Sequence, residues 1–170
     1  SGNYFRMFGV RAYAGREIAS SDDQASAPPV AMMSYRLWQQ RYKSDPSVIG
    51  SAFRLNDKPF TVVGITPPGF FGDTLRNNPP DFFLPLSTEL LMDGDLPKHN
   101  VHWLNLIGRV RAGVAPTSIE AEMRVELTQW LQAHSGEMSA NDRVKIPEQT
   151  LFLRPGGAGI SAMRDQYEHW

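Results

Sequence analysis

An α+β fold is what this sequence predicts, and three observations carry the prediction. Strand and helix signals follow one another near both ends of the chain, a central stretch holds only strand and turn signals, and the segment opening at Pro116 is a clear amphipathic helix. With 170 residues and 41% apolar content the chain can bury a real core, as one domain or as two small lobes.

Asn3 to Phe8 reads as a short helix, with Asn3 placed to cap it, Gly9 placed to stop it and its aromatic residues facing inward. Ser20 to Pro29 is polar, carries Asp22 and Asp23 and closes on Pro28-Pro29, so the sequence predicts a surface loop whose acids are solvated. Val30 to Met33 is an apolar run of strand length. Ser34 can cap a helix bearing Leu37, Trp38, Arg41 and Tyr42, and Asp45-Pro46 ends that unit.

A β-hairpin follows. Ser51 to Leu55 alternates small or charged residues with apolar ones, Asn56-Asp57-Lys58 tolerates turn dihedrals, and Phe60 to Ile65 resumes in β-branched types. Pro59 has no N–H to donate, which places it at a strand start or on an edge. Beyond the hairpin, Pro67-Pro68 fixes φ twice and Gly69 permits a reversal, so Phe70 and Phe71 are held at a defined place. Those two rings either form a docking tip for a partner or fold back onto the hairpin.

The rest of the chain carries a β signal at Asp81 to Leu86, between Asn77-Asn78-Pro79-Pro80 and the turn-rich segment from Asp93 to Pro97. A strand is predicted over Trp103 to Arg111. The helix opening at Pro116 places Glu120 and Glu122 in its early turns, repeats Ile119, Met123, Leu127, Trp130 and Leu131 at helical spacing, and has Gly136 as its stop. That apolar face is expected to pack on the strand before it. Arg143 to Pro147 and Thr150 to Leu153 read as further strands, and Ile160 to Tyr167 as a short helix.

Charge and composition exclude several roles. Seventeen basic against eighteen acidic residues leave a net charge of −1 without a basic run, which argues against nucleic acid or an anionic membrane surface as partner. Cysteine is absent, so there is neither a disulfide framework nor a thiolate metal site. No run approaches the roughly eighteen apolar residues of a membrane span. His99 and His102, with Asp93 and Asp95 the nearest acids, lack the ligand pattern of a metal site. Gly156-Gly157-Ala158-Gly159 lacks the lysine and serine or threonine of a phosphate loop and reads as a turn. Glu122 and Glu126 share a helix face and read as a solvated charge row, with Glu120 beside them. No serine sits in a nucleophile elbow that would give His134 or His169 a catalytic partner. The sequence therefore predicts no catalytic residue, no metal and no cofactor, and Phe70 and Phe71 as the candidate docking residues.

Taken together and in order, SGNYFRMFGVRAYAGREI, PPVAMMSYRLWQQRY, SDPSVIGSAFRLNDKPFTVVGITPPGFFG, DFFLPLS and WLNLIGRVRAGV resemble the extracytoplasmic core domain of MacB-like ABC transporter permeases, and most of all the duplicated-permease branch of that superfamily. Two departures stand out: Asp57 occupies a turn position where the branch usually has glycine, and the extra strand and helix that normally open the family domain are missing before Ser1.

The resemblance implies a non-catalytic domain on the periplasmic side of the bacterial cytoplasmic membrane, excised from a larger permease. It would lie between membrane spans of its own parent chain. A nucleotide-binding ATPase subunit or domain would drive it from the cytoplasm, and a periplasmic adaptor would be a possible partner. It further implies two lobes, a porter-like α+β lobe of residues 1–46 with 98–170 and an inserted β-rich lobe of residues 47–97. A stand-alone module binding a peptide, lipid or glycan is the first alternative, and a hydrolase the second.

Overall fold

The computed structural model describes residues 1–74, 77–92 and 105–157. These form two compact units, one containing Ser1–Leu106 and the other Ile107–Ala158. The chain is a mixed α+β protein with a mixed sheet.

The first unit runs α1 (Tyr4–Phe8), β1 (Ala14–Gly15), β2 (Val30–Met33), α2 (Tyr35–Tyr42), β3 (Ala52–Leu55), β4 (Lys58–Ile65), β5 (Phe82–Phe83) and α3 (Glu89–Met92). Strand β4 is the hub. It lies parallel to β2 on one side, while β3 and then β1 pair with it antiparallel on the other, and β5 extends the sheet beyond β2. Parallel neighbours need a crossover, and α2 with β3 supplies it. Strand β2, before residue 46, thus bonds to β4, after it, within one sheet.

Local chemistry accounts for the elements. Gly9 stops α1 with a left-handed φ of 69°, as its lack of a Cβ allows, whereas Asn3 accepts a bond from the Ser1 hydroxyl and leaves the helix uncapped. The Ser34 hydroxyl does cap α2, accepting from the Leu37 N–H at 3.1 Å. In the hairpin turn both Asn56 and Asp57 have positive φ, 45° and 61°, which is what a two-residue primed turn demands. Aspartate meets that demand because its short polar side chain tolerates the left-handed region. Pro59 sits opposite Arg54, before the pairing with β2 begins at Thr61, so its missing N–H faces no strand.

One irregularity sets the core. Ala31 pairs with Val62 and Met32 with Gly64, so Val63 is an extra residue in β4. This bulge reverses the alternation, which lets Val62 and Ile65 point to the same face although they are three residues apart. That face holds Met33, Trp38, Val48, Val62 and Ile65. The Trp38 indole N–H donates to the Asp45 carbonyl at 2.7 Å, which ties α2 to the turn after it. The opposite face holds Phe5, Ile18 and Met32, with Tyr4, Val63, Phe70 and Phe83 packed around them.

Asp22 and Asp23 are not solvated as the sequence suggested. Asp22 is buried, paired bidentately with Arg16 at 2.6 and 2.9 Å, and accepts from the Ala19 N–H at 2.8 Å. Asp23 accepts from the backbone N–H groups of Gly2 and Ser87, both at 2.7 Å. The two carboxylates thereby satisfy backbone donors outside the loop and tie it to the start of the chain and to the segment before α3.

In the second unit, α4 (Pro116–Ala133) begins at Pro116 as expected, and α5 (Ala140–Val144) follows. Helix α4 ends at Ala133, with His134 at its C-cap, before the stop expected at Gly136. Ile119, Met123, Leu127 and Leu131 are half-buried, whereas Trp130 is 46% exposed, and no described residue of the unit is fully buried. Three strand expectations are corrected here. Residues 105–111 form no strand and pair with no strand among the described residues; Trp103 and Leu104 lie outside the described residues. Over 143–147 a helix and a 3-10 turn replace the strand, because Ser139 caps α5 and Pro147 favours the turn. Residues 150–153 are irregular because side chains of α4 take their backbone groups: the Leu153 N–H donates to Glu120 at 2.9 Å, and Arg124 Nε donates to the Leu151 carbonyl at 2.7 Å. The helix expected over Ile160 to Tyr167 lies outside the described residues.

Candidate functional site

The sharp turn after β4 is built from its prolines. Thr66 is fully buried, its N–H donating to the Met33 carbonyl at 2.9 Å and its hydroxyl oxygen accepting from the Tyr35 N–H at 3.2 Å, so the turn is rooted in both β2 and α2. Phe70 N–H then closes on the Pro67 carbonyl at 3.2 Å with Gly69 at φ 77°, the type II arrangement that Pro68 and glycine favour.

The two phenylalanines part company at this turn. Phe70 folds inward, its ring 5.4 Å from Phe83, 5.8 Å from Phe5 and 6.3 Å from Tyr4. Phe71 points out and is 50% exposed. Of the pair expected at a docking tip, Phe70 therefore anchors the loop and Phe71 alone presents a ring to solvent. Adjacent residues of an extended segment point to opposite sides, a separation that adjacency in the sequence does not reveal.

Behind Phe71 the chain passes Gly72 and Asp73. The Tyr4 hydroxyl reaches Asp73, and burial first, then the Asp73 charge, push its pKa above the ordinary phenol value. Tyr4 thus stays neutral and donates. Tyr4, Phe71, Asp73, Phe83 and Leu84 line a cavity of about 260 Å³ in the first unit. On the far side of the loop, Arg36 donates to Asp81 at 2.6 Å and to the Pro79 carbonyl at 3.2 Å, and the Asp81 carbonyl accepts from the Ser34 N–H at 2.8 Å. Both ends of the loop are therefore fastened. Tyr4 and Asp73 were not singled out in the sequence, where no spacing links residues so far apart.

The remaining candidates have structural partners or lie outside the described residues. Glu120 pairs with Arg124 at 2.6 Å, and Glu122 and Glu126 are exposed. The His134 ring stacks on Trp130 at 4.3 Å and bonds its carbonyl at 2.9 Å. Gly156 approaches Ile107, while Ala158 and Gly159 of the glycine run lie outside the described residues, as do Asp93, Asp95, His99, His102 and His169. Among the described residues no group of three metal-ligating side chains occurs, and no helix is long and apolar enough to cross a membrane.

A family model described as the MacB-like periplasmic core domain matches residues 1–125. The chain belongs to the MacB-like periplasmic core domain family. The match covers the whole described sheet, the turn bearing Phe71 and the first half of α4. Among solved structures, the periplasmic region of MacB from Actinobacillus actinomycetemcomitans is similar with a TM-score of 0.50 at 18% identity, over 89% of this chain. The chain spans 64% of the length of that structure, and at this identity the likeness concerns the fold alone. No curated protein matches the chain.

Proposed function

We propose that this chain is the non-catalytic extracytoplasmic domain of an ABC-type efflux or export permease, and that it docks a partner at Phe71 and passes on conformational change. Family membership supports the setting: a periplasmic domain held by membrane spans of its own parent chain and driven by a nucleotide-binding ATPase in the cytoplasm. A periplasmic adaptor is the partner that setting offers. The observation that carries the docking role is the division of labour between the two rings, with Phe70 packed against the core cluster so that Phe71 is presented on a stiff loop. Ordering such a loop beforehand lowers the entropy lost on association, and an exposed aromatic ring is a common interface anchor.

The test uses the full permease and the phenotype of a strain lacking it. Phe71→Ala is expected to leave the melting of the isolated chain unchanged while failing to restore the phenotype at normal membrane levels. Full restoration by Phe71→Ala would remove the docking role.

A further inference from the structure

The cavity behind Phe71 has a composition that selects its occupant. Four aromatic residues line it, Tyr4, Phe5, Phe71 and Phe83, and Asp73 stands among them. The arginines of the described ion pairs are committed elsewhere, to Glu17, Asp22, Asp57, Asp81 and Glu120, and none pairs with Asp73. Among the described residues, the hydrogen-bonding groups beside it are the hydroxyls of Tyr4 and Thr74, both neutral, and Ser1 also lines the cavity. A negative charge lined by aromatic faces attracts a cation twice over, through the carboxylate and through the ring quadrupoles. An anion would be repelled, and a purely apolar group would desolvate the carboxylate without compensation. The volume of about 260 Å³ is below the roughly 300–1,000 Å³ of small-molecule sites and suits a single side chain.

We propose that this cavity receives a lysine or arginine side chain of the protein that docks on Phe71. The apolar stem of that side chain lies along Phe71 and Phe83, and its charged head meets Asp73. This rests on the docking role of Phe71 and adds the chemistry of the partner.

Nuclear magnetic resonance on the 170-residue chain tests it, with N-acetyl-arginine methylamide and N-acetyl-lysine methylamide as probes and uncharged N-acetyl-citrulline methylamide as control. The charged probes are expected to shift the ring resonances of Tyr4, Phe71 and Phe83 saturably. Citrulline should bind at least fivefold more weakly, Asp73→Asn should lose the charged probes to a similar degree, and Asp73→Glu should keep them. Equal binding of citrulline overturns the proposal on the unaltered chain, so the test holds even if Asp73→Asn fails to fold. Retention of the charged probes by a folded Asp73→Asn overturns it as well. In the full permease the two readings separate: loss of function in Phe71→Ala with full function in Asp73→Asn would keep the docking tip and discard the basic partner, whereas full function in Phe71→Ala would discard the tip itself.

Discussion

Gly15 and Gly64 are cross-strand partners between β1 and β4, and neither has room for a side chain. A Cβ on Gly64 would collide with the Arg16 carbonyl oxygen, and one on Gly15 with the Val63 carbonyl oxygen. Gly15 also has a φ of 72°, in the left-handed region that other residues resist. The close approach seats β1 against the bulge at Val63, and so helps set which residues of β4 reach each core. Gly64→Ala is therefore expected to destabilise the first unit by about 1–3 kcal/mol, the usual cost of overpacking, measured by denaturant unfolding followed by circular dichroism. Unchanged stability would show that β1 can shift at no cost.

Phe70 and Phe71 offer a paired test. Truncating Phe70, which touches three other rings, should cost about 3 kcal/mol, the lower end for a buried phenylalanine, because the ring is only partly enclosed. Truncating Phe71 should change stability by no more than about 0.5 kcal/mol. Equal losses in thermal denaturation would place both rings in the core.

The loop carboxylates predict an acid limit. Hydrogen bonding and ion pairing with Arg16, with help from the Ala19 N–H, hold the Asp22 carboxyl below its usual range. Asp23 is also lowered: burial opposes this, but the Ser87 and Gly2 N–H groups outweigh it. A pKa depressed in the folded state contributes stability above the unfolded value of about 3.9, and that stability is lost as pH falls through the folded pKa. Stability should therefore fall as the pH drops below about 4. In Asp22→Asn the loss between neutral and acidic pH should be smaller, because part of it has already been incurred at neutral pH. An identical pH profile in the two proteins would exclude Asp22 as a source.

Leu127 tests the second unit. Its half-burial on α4 predicts a loss of about 1–2 kcal/mol in Leu127→Ala, less than the 2–5 kcal/mol of a fully enclosed leucine. A larger loss, read by circular dichroism against an exposed control such as Gln132→Ala, would show that the helix is more deeply packed.

Much of this protein was legible in residue order. Strand β2, the Ser34 cap, the hairpin with its Asn56-Asp57 turn, the Pro67-Pro68-Gly69 reversal and the start of α4 follow from propensities acting within a few residues, and the ordered motifs point to the family. The pairings were decided by tertiary structure. That β4 joins β2, that an extra residue at Val63 turns Val62 and Ile65 to one face, and that Phe70 goes inward while Phe71 goes out depend on what each segment meets across the sheet. The same holds for the strands expected over 143–147 and 150–153 and for the described part, 105–111, of the one expected over Trp103 to Arg111. A strand needs a partner edge: over 150–153 α4 side chains claimed backbone groups instead, and over 143–147 the Ser139 cap started a helix. Asp22, Asp23, Tyr4 and Asp73 show the limit most clearly. An acid in a polar loop looks solvated from its neighbours in sequence, and only the fold brings it the arginine, backbone N–H or tyrosine hydroxyl that gives it a task.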